Sequence, residues 1–333
     1  MATAPAACPY TQEFSKGLAG RLGGMRFSHV KSWVGKPAPA SAHTGAGAPS
    51  LVAPLAAEAR TASAWAEQAG AKEAAPVSHW PQSRIDAVEA LWGEGYVFPG
   101  GAPETLRLAK PLGLSSSATL LLLGGGLGGP AQAVVERFGA WVASFEADPD
   151  LAAIATKRLG LTDPTNHIKI IGWDRLAPSF KRGCANHAMA LEPFHGAPPT
   201  PVLENLALAL RPQGHIVLTE LVADQPTNTA DREFAAWCRM ELRDPALPST
   251  MELNKLLAKL RFDVRVVEDM SDRHMSSTLT GWRDAVKTME SGPRPTARQA
   301  ATLIGEAELW LLRLRLMRRM GLKLMRWHAI STR

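Results

Sequence analysis

The sequence predicts an α/β fold, a seven-stranded and mostly parallel sheet with helices on both faces. Three observations carry this. Apolar runs of four to seven residues alternate with amphipathic stretches of about ten. The first run, Thr119–Leu123, closes on the glycine-rich turn 124–129. The next two runs each end on an acid, Glu146 and Asp174. Buried parallel strands read as continuous apolar runs, as these do.

The elements follow in order. A helix opens at Ser83, a plausible cap, with Ile85, Val88, Leu91 and Trp92 on one face. The glycine-rich segment 93–101 interrupts it, and a second helix spans about 102–112. Strand Thr119–Leu123 leads into a helix over Pro130–Phe138, with proline in its first turn. Strand Trp141–Phe145 precedes a helix over Leu151–Leu159, and strand Ile168–Ile171 follows. Ala185–Leu191 is a fourth strand, Val202–Leu210 a helix stopped by Pro212, and His215–Leu221 a fifth strand. Helices then span Phe234–Leu242 and Met251–Leu260, with a strand over Asp263–Glu268. The last elements are a helix over Leu279–Thr288, a long helix over Ala297–Met320 and a strand over Leu322–Ile330. Such alternation implies right-handed crossovers and a Rossmann-like sheet.

The chain has 333 residues, 46% of them hydrophobic, enough for a sizeable core. Its 28 glycines and 25 prolines imply long irregular stretches. These concentrate in residues 1–80, read as an Ala/Gly/Pro-rich arm in which Phe14, Leu18, Leu22 and Met25 could form one short docking helix. Residues 81–333 form the folded domain. Cys8, Cys184 and Cys238 have no paired spacing, so neither a disulfide framework nor a metal site is expected, and a reducing, cytoplasmic setting is. No run of 18 apolar residues is present, which argues against a membrane span. The net charge is +6, and after Glu308 only basic charges follow, from Arg313 to Arg333. That basic helix and the N-terminal arm are the candidate surfaces for a protein partner.

The chemistry centres on the turn after the first strand. Glycines there allow positive φ and close backbone approach to a ligand. The helix that follows offers free N–H groups and a positive dipole end. Gly124, Gly126 and Gly128 are therefore the candidate cradle for a nucleoside cofactor. Glu146 closes the next strand about twenty residues on, where an acid can accept ribose hydroxyls, and Asp174 lies past the third strand at the same edge.

These motifs resemble the class I S-adenosylmethionine-dependent methyltransferases over roughly residues 83–330. Leu121 to Gly128 matches the first motif in part, with Leu122 standing where that family has an acid. Glu146 matches the second motif and Asp174 the acid that touches adenine. Leu210-Arg211-Pro212-Gln213-Gly214 resembles the turn before strand five, and Met189 to His195 the segment facing cofactor and substrate. The stretch Trp92 to Gly101 resembles the lid of small-molecule N-methyltransferases, the phosphoethanolamine type among them. The resemblance implies an antiparallel last strand and S-adenosylmethionine held by Gly124, Gly126, Gly128, Glu146, Asp174 and Glu192. It implies in-line methyl transfer to a small molecule, with His195 and Tyr96 as candidate catalytic residues and Asp269 and His274 as weaker ones. His274 is read as a loop residue. A catalytically silent, methyltransferase-like scaffold is the alternative. A nucleic-acid methyltransferase is disfavoured, because the Asn/Asp-Pro-Pro-Tyr/Phe signature is absent. An oxidoreductase is disfavoured because the lid and the late strand pair do not fit one.

Overall fold

The structure is a computed structural model, and it describes residues 78–162 and 166–333. The expected arm over residues 1–80, with its docking helix, lies outside the described residues except for its last three.

Seven strands form one sheet in the order β3-β2-β1-β4-β5-β7-β6. They are β1 (Thr119–Leu123), β2 (Trp141–Glu146), β3 (Ile168–Gly172), β4 (His187–Leu191), β5 (His215–Val222), β6 (Phe262–Asp269) and β7 (Lys323–Ser331). Strands β1 to β5 pair in parallel, with Leu123 beside Phe145 and Ala190 on one side and the other. β7 inserts antiparallel between β5 and β6, pairing Thr219 with Arg326 and Val267 with Trp327.

Nine helices surround the sheet among the described residues. They are α1 (Gln82–Trp92), α2 (Gly101–Ala109), α3 (Gly129–Phe138), α4 (Pro149–Thr162), α5 (Pro199–Ala209), α6 (Arg232–Glu241), α7 (Thr250–Lys259), α8 (Ser271–Ser291) and α9 (Ala297–Met320). Apolar side chains alternate between the two faces of the sheet. Leu121, Leu123, Ile216 and Leu218 join the core under α5 and α7, while Leu120, Leu122, Val217 and Leu221 join the core under α3, α6 and α9. This two-sided burial is why the strands carry so few polar residues.

Element ends differ from the sequence reading in several places, three of them with a physical reason. β4 begins at His187, because Ala185 makes only an isolated bridge to Leu210. The second helix ends at Ala109 and tightens into a 3₁₀ turn over Lys110–Leu112, where Pro111 supplies no N–H to an α-helical ladder. The largest difference is α8, which starts at Ser271 rather than Leu279. Its buried stripe is His274, Thr278, Trp282 and Ala285. That spacing is helical, but the stripe opens on polar residues, which an apolar-periodicity reading passes over.

The basic C-terminal segment is not a free cationic surface. Arg315 faces Glu233 at 3.4 Å, Arg319 faces Asp231 at 2.7 Å, Lys323 faces Asp224 at 3.3 Å and Arg326 faces Glu268 at 2.9 Å. Acids from α6, β6 and the loops beside them neutralise much of the charge that the sequence segregates. The partner surface expected there therefore has no structural support. No described helix is long and apolar enough to cross a membrane.

Candidate active site

The carboxyl edge of the parallel strands carries the site. After β1 the chain turns through Gly124, Gly126 and Gly128, all at positive φ, and enters α3 at Gly129. The lid segment packs directly on this turn. The Gly129 N–H donates to the Gly95 carbonyl at 2.9 Å, and the Tyr96 hydroxyl donates to the Gly129 carbonyl at 3.1 Å. Val97 caps Gly126: a Cβ on that glycine would lie 2.9 Å from the valine Cγ2. Tyr96 is buried, with its phenol pushed up to about 12 chiefly by burial. It lines neither cavity described below, so the structure gives the expected catalytic tyrosine a different position, that of a clamp between lid and loop.

Glu146 ends β2 and is 5% exposed. One oxygen accepts the Gly126 N–H at 2.8 Å; the other accepts the Ala147 and Asp148 N–H groups at 2.8 and 3.1 Å. Burial raises its pKa, against the lowering by these hydrogen bonds and by Arg175. The acid expected to meet a ribose therefore also fixes the conformation of the glycine loop. Leu122, standing where an acid was expected, is fully buried in the core. The buried Ser144 hydroxyl under the loop has no hydrogen-bond partner.

The turn after β4 divides the site. Glu192 and His195 both adopt left-handed backbone, with φ of 44° and 50°. Non-glycine residues held there store strain, and such strain clusters at functional sites. The two reversals send the side chains to opposite sides of the turn. Glu192 lines a small cavity of about 80 Å³ beneath the lid, walled by Phe98, Leu108, Leu191, Met270 and Leu324. Thr219, Arg273, His274 and Ser277 also reach this space. His195 lines a second cavity of about 390 Å³, together with Trp173, Asp174 and Arg175. Asp174 is exposed there, one oxygen accepting the Leu176 N–H at 2.8 Å. The structure thus brings His195 together with Asp174 and separates both from Glu192.

His195 is a half-buried imidazole. Its Nε2 lies 2.7 Å from the Glu241 carbonyl, which can only accept, so Nε2 carries the proton. Burial, then Arg243 and Arg175, lowers its pKa to about 4. His187, on β4 beside His215, is also lowered to about 4, and His274 to about 3, both chiefly by burial. These three rings are expected to stay neutral at pH 5.5, where a free imidazole is largely charged. Long-range ¹⁵N spectra of the ring nitrogens check this; titration near pH 6.5 would refute it. Between about pH 6.5 and 4 the unfolded chain binds protons that these rings refuse. Their contribution to stability is therefore full above pH 6.5 and lost as pH falls toward 4. Glu220, raised to about 8 by burial, acts in the opposite sense as pH falls from 8.

Between the two cavities lies a buried ion network that the sequence did not reveal. Arg313 of α9 bridges Glu192 at 2.6 Å and Glu241 at 3.0 Å. Arg243 contacts Glu241 at 3.3 Å and Glu220 at 3.9 Å, and its guanidinium lies 4.7 Å over the Trp237 ring. The two arginines hold Glu192 and Glu241 below the ordinary carboxylate range despite burial. With Glu220 protonated near neutral pH, two arginines face two carboxylates and the network is electrically balanced. No group of His, Cys, Asp and Glu among the described residues is arranged to hold a metal ion.

This order of strands, with the lid over a glycine turn and both cavities at the carboxyl edge, is the fold of the class I S-adenosylmethionine-dependent methyltransferases. The chain is similar to the phosphoethanolamine N-methyltransferases. It is 28% identical over 144 residues to phosphoethanolamine N-methyltransferase 2 of Caenorhabditis elegans, a match covering 43% of this chain and 33% of the relative. Phosphoethanolamine N-methyltransferase 2 of Haemonchus contortus, solved with S-adenosyl-L-methionine, superposes with a TM-score of 0.67 at 18% identity, over 77% of this chain and 59% of that one. The chain thus spans about a third of the curated relative and under two thirds of the H. contortus enzyme. The [4+2]-cyclase SpnF superposes as well, with a TM-score of 0.57 at 16% identity over 75% of this chain and 93% of that one. No protein-family model matches the chain.

Proposed function

We propose that this domain is an S-adenosylmethionine-dependent methyltransferase acting on a small molecule. One observation carries the reading: the strained turn from Glu192 to His195 separates a nucleoside-sized cavity from a small cavity under the lid. The larger cavity falls in the range of cofactor sites. The half-buried Trp173 offers a flat apolar wall for a purine, and the exposed Asp174 carboxylate can accept hydrogen bonds from an amino or hydroxyl group. Gly124, Gly126 and Gly128, tied to Glu146, would hold the rest.

S-adenosylmethionine supplies an electrophilic methyl group on a sulfonium that leaves readily. The protein's work is then alignment and exclusion of water. The lid residues Tyr96, Val97 and Phe98 cover the loop and the smaller cavity. Arg313 and Arg243 keep Glu192 and Glu241 ionised and fixed in place. His195, proton on Nε2 and held by the Glu241 carbonyl, positions the turn between the cavities. It faces the nucleoside side rather than the acceptor side, so we assign it a positioning role. The smaller cavity, with Glu192 at its wall, takes the acceptor. The C. elegans relative is named for a phosphorylated amine, and a small amine fits the size and the carboxylate of this space.

The second reading, a fold that binds the nucleoside without methyl transfer, draws on Leu122 in the core at the position of the family acid. Calorimetric titration with S-adenosylmethionine and S-adenosylhomocysteine tests the shared cofactor claim. Both should bind, and Asp174→Asn should weaken binding about tenfold, roughly 1.4 kcal/mol. That substitution keeps the oxygen that accepts the Leu176 N–H while removing the charge. No heat and no thermal shift with either ligand would sink both readings. Binding without turnover of any small amine would favour the second.

A further inference from the structure

We propose that His274 is the side chain that contacts the acceptor, through a hydrogen bond between its Nε2 and an N–H of a small amine held in the cavity under the lid. The inference rests on the methyltransferase reading above and deepens it. His274 sits in the first turn of α8 and lines that cavity beside Met270, Arg273 and Ser277. It is 7% exposed. Its Nε2 is sealed from solvent and has no hydrogen-bond partner.

A buried imidazole nitrogen left unpaired is costly, and native structures rarely keep one without a use. The surroundings hold the ring in place without occupying that nitrogen. Trp310 of α9 packs against it with ring centroids 5.9 Å apart, and the Thr278 hydroxyl donates to the His274 carbonyl rather than to the ring. Arg313 and Glu241 are the charged groups that act on it electrostatically, and both are already committed to the ion network. Burial keeps the imidazole neutral, so one ring nitrogen holds a lone pair ready to accept. Glu192 lines the same cavity while paired with Arg313 at 2.6 Å. Arg273, exposed at the mouth, can meet an anionic end of the acceptor, whether carboxylate or phosphate. A neutral tertiary amine has no N–H to give His274, so primary and secondary amines are the preferred class.

The test uses the whole chain, ¹⁵N-labelled and bound to S-adenosylhomocysteine. Ethanolamine, phosphoethanolamine and sarcosine are added in turn while the His274 ring nitrogens are followed, with His274→Phe identifying the signals. At least one probe should shift His274 Nε2. Its dissociation constant should weaken tenfold or more in His274→Phe and recover in part in His274→Gln. S-adenosylhomocysteine affinity should change less than twofold in either variant. The preferred probe distinguishes a phosphate from a carboxylate or from no anion at Arg273. Equal probe affinity in the parent and His274→Phe, or no shift with any probe, overturns the proposal. If His274→Phe does not fold, the ring shift in the parent and the affinity in His274→Gln decide. Failure of the parent to bind S-adenosylhomocysteine would remove the methyltransferase reading itself, and this inference with it.

Discussion

Replacing Arg313 with Met is expected to destabilise the domain by about 3–5 kcal/mol, the range seen when one partner of a buried ion pair is removed. The side chain is 5% exposed, and its guanidinium serves two carboxylates, Glu192 at 2.6 Å and Glu241 at 3.0 Å. Methionine leaves both acids facing a low-dielectric interior with Arg243 as the remaining cation in contact. The acids must then take up protons or draw in water, and either costs free energy. The melting temperature should fall by roughly 10 °C for a domain of this size. Adding Glu192→Gln to Arg313→Met should recover part of the loss, because one uncompensated charge goes with it. Denaturant titration of the single and double variants measures this. A single-variant loss below about 1 kcal/mol would show that the pair is not the buried, water-free contact described.

Gly95→Ala is expected to cost about 2–4 kcal/mol and to weaken S-adenosylhomocysteine binding by an order of magnitude. Two independent terms add here. The glycine sits at φ +82°, where an alanine is strained. Its Cβ would also lie 2.7 Å from both Cα and N of Gly129, backbone atoms with no side chain to swing away. The lid must lift from the loop, breaking the bond from Gly129 N–H to the Gly95 carbonyl and the Tyr96 hydroxyl contact. Gly113→Ala is the control. That residue also has positive φ, at +62°, but nothing lies within 4 Å of its would-be Cβ. It should cost only about 1 kcal/mol and leave ligand binding unchanged. Equal effects of the two substitutions would deny the lid-to-loop contact its role.

The local pattern revealed most of the scaffold. Thr119–Leu123 read as a buried strand because apolar side chains cover both faces of a parallel sheet, and the structure buries Leu121 and Leu122 in opposite cores. The glycine turn was legible because only glycine adopts φ of 57° to 98° at three alternate positions without strain. The acids Glu146 and Asp174 were legible because strands of a parallel sheet end at one edge. α8 was read too short, since its first turn is anchored by His274 and Thr278 rather than by apolar residues.

By itself, then, the sequence determined the sheet, the glycine turn and the strand-end positions of Glu146 and Asp174. Each is a consequence of short-range periodicity or of one residue's conformational freedom. Only the tertiary structure decided how the site is divided. Glu192 and His195 are three residues apart, yet left-handed backbone at both turns them toward different cavities. His274, read as a loop residue, lies in the first turn of α8 and lines the small cavity beneath the lid. Glu192, Glu220, the nearby pair Glu241 and Arg243, and Arg313 meet from four separate places in the chain. No spacing rule links such residues. Once folding excludes water, electrostatic energy fixes their positions, and that energy depends on distances in space rather than along the chain.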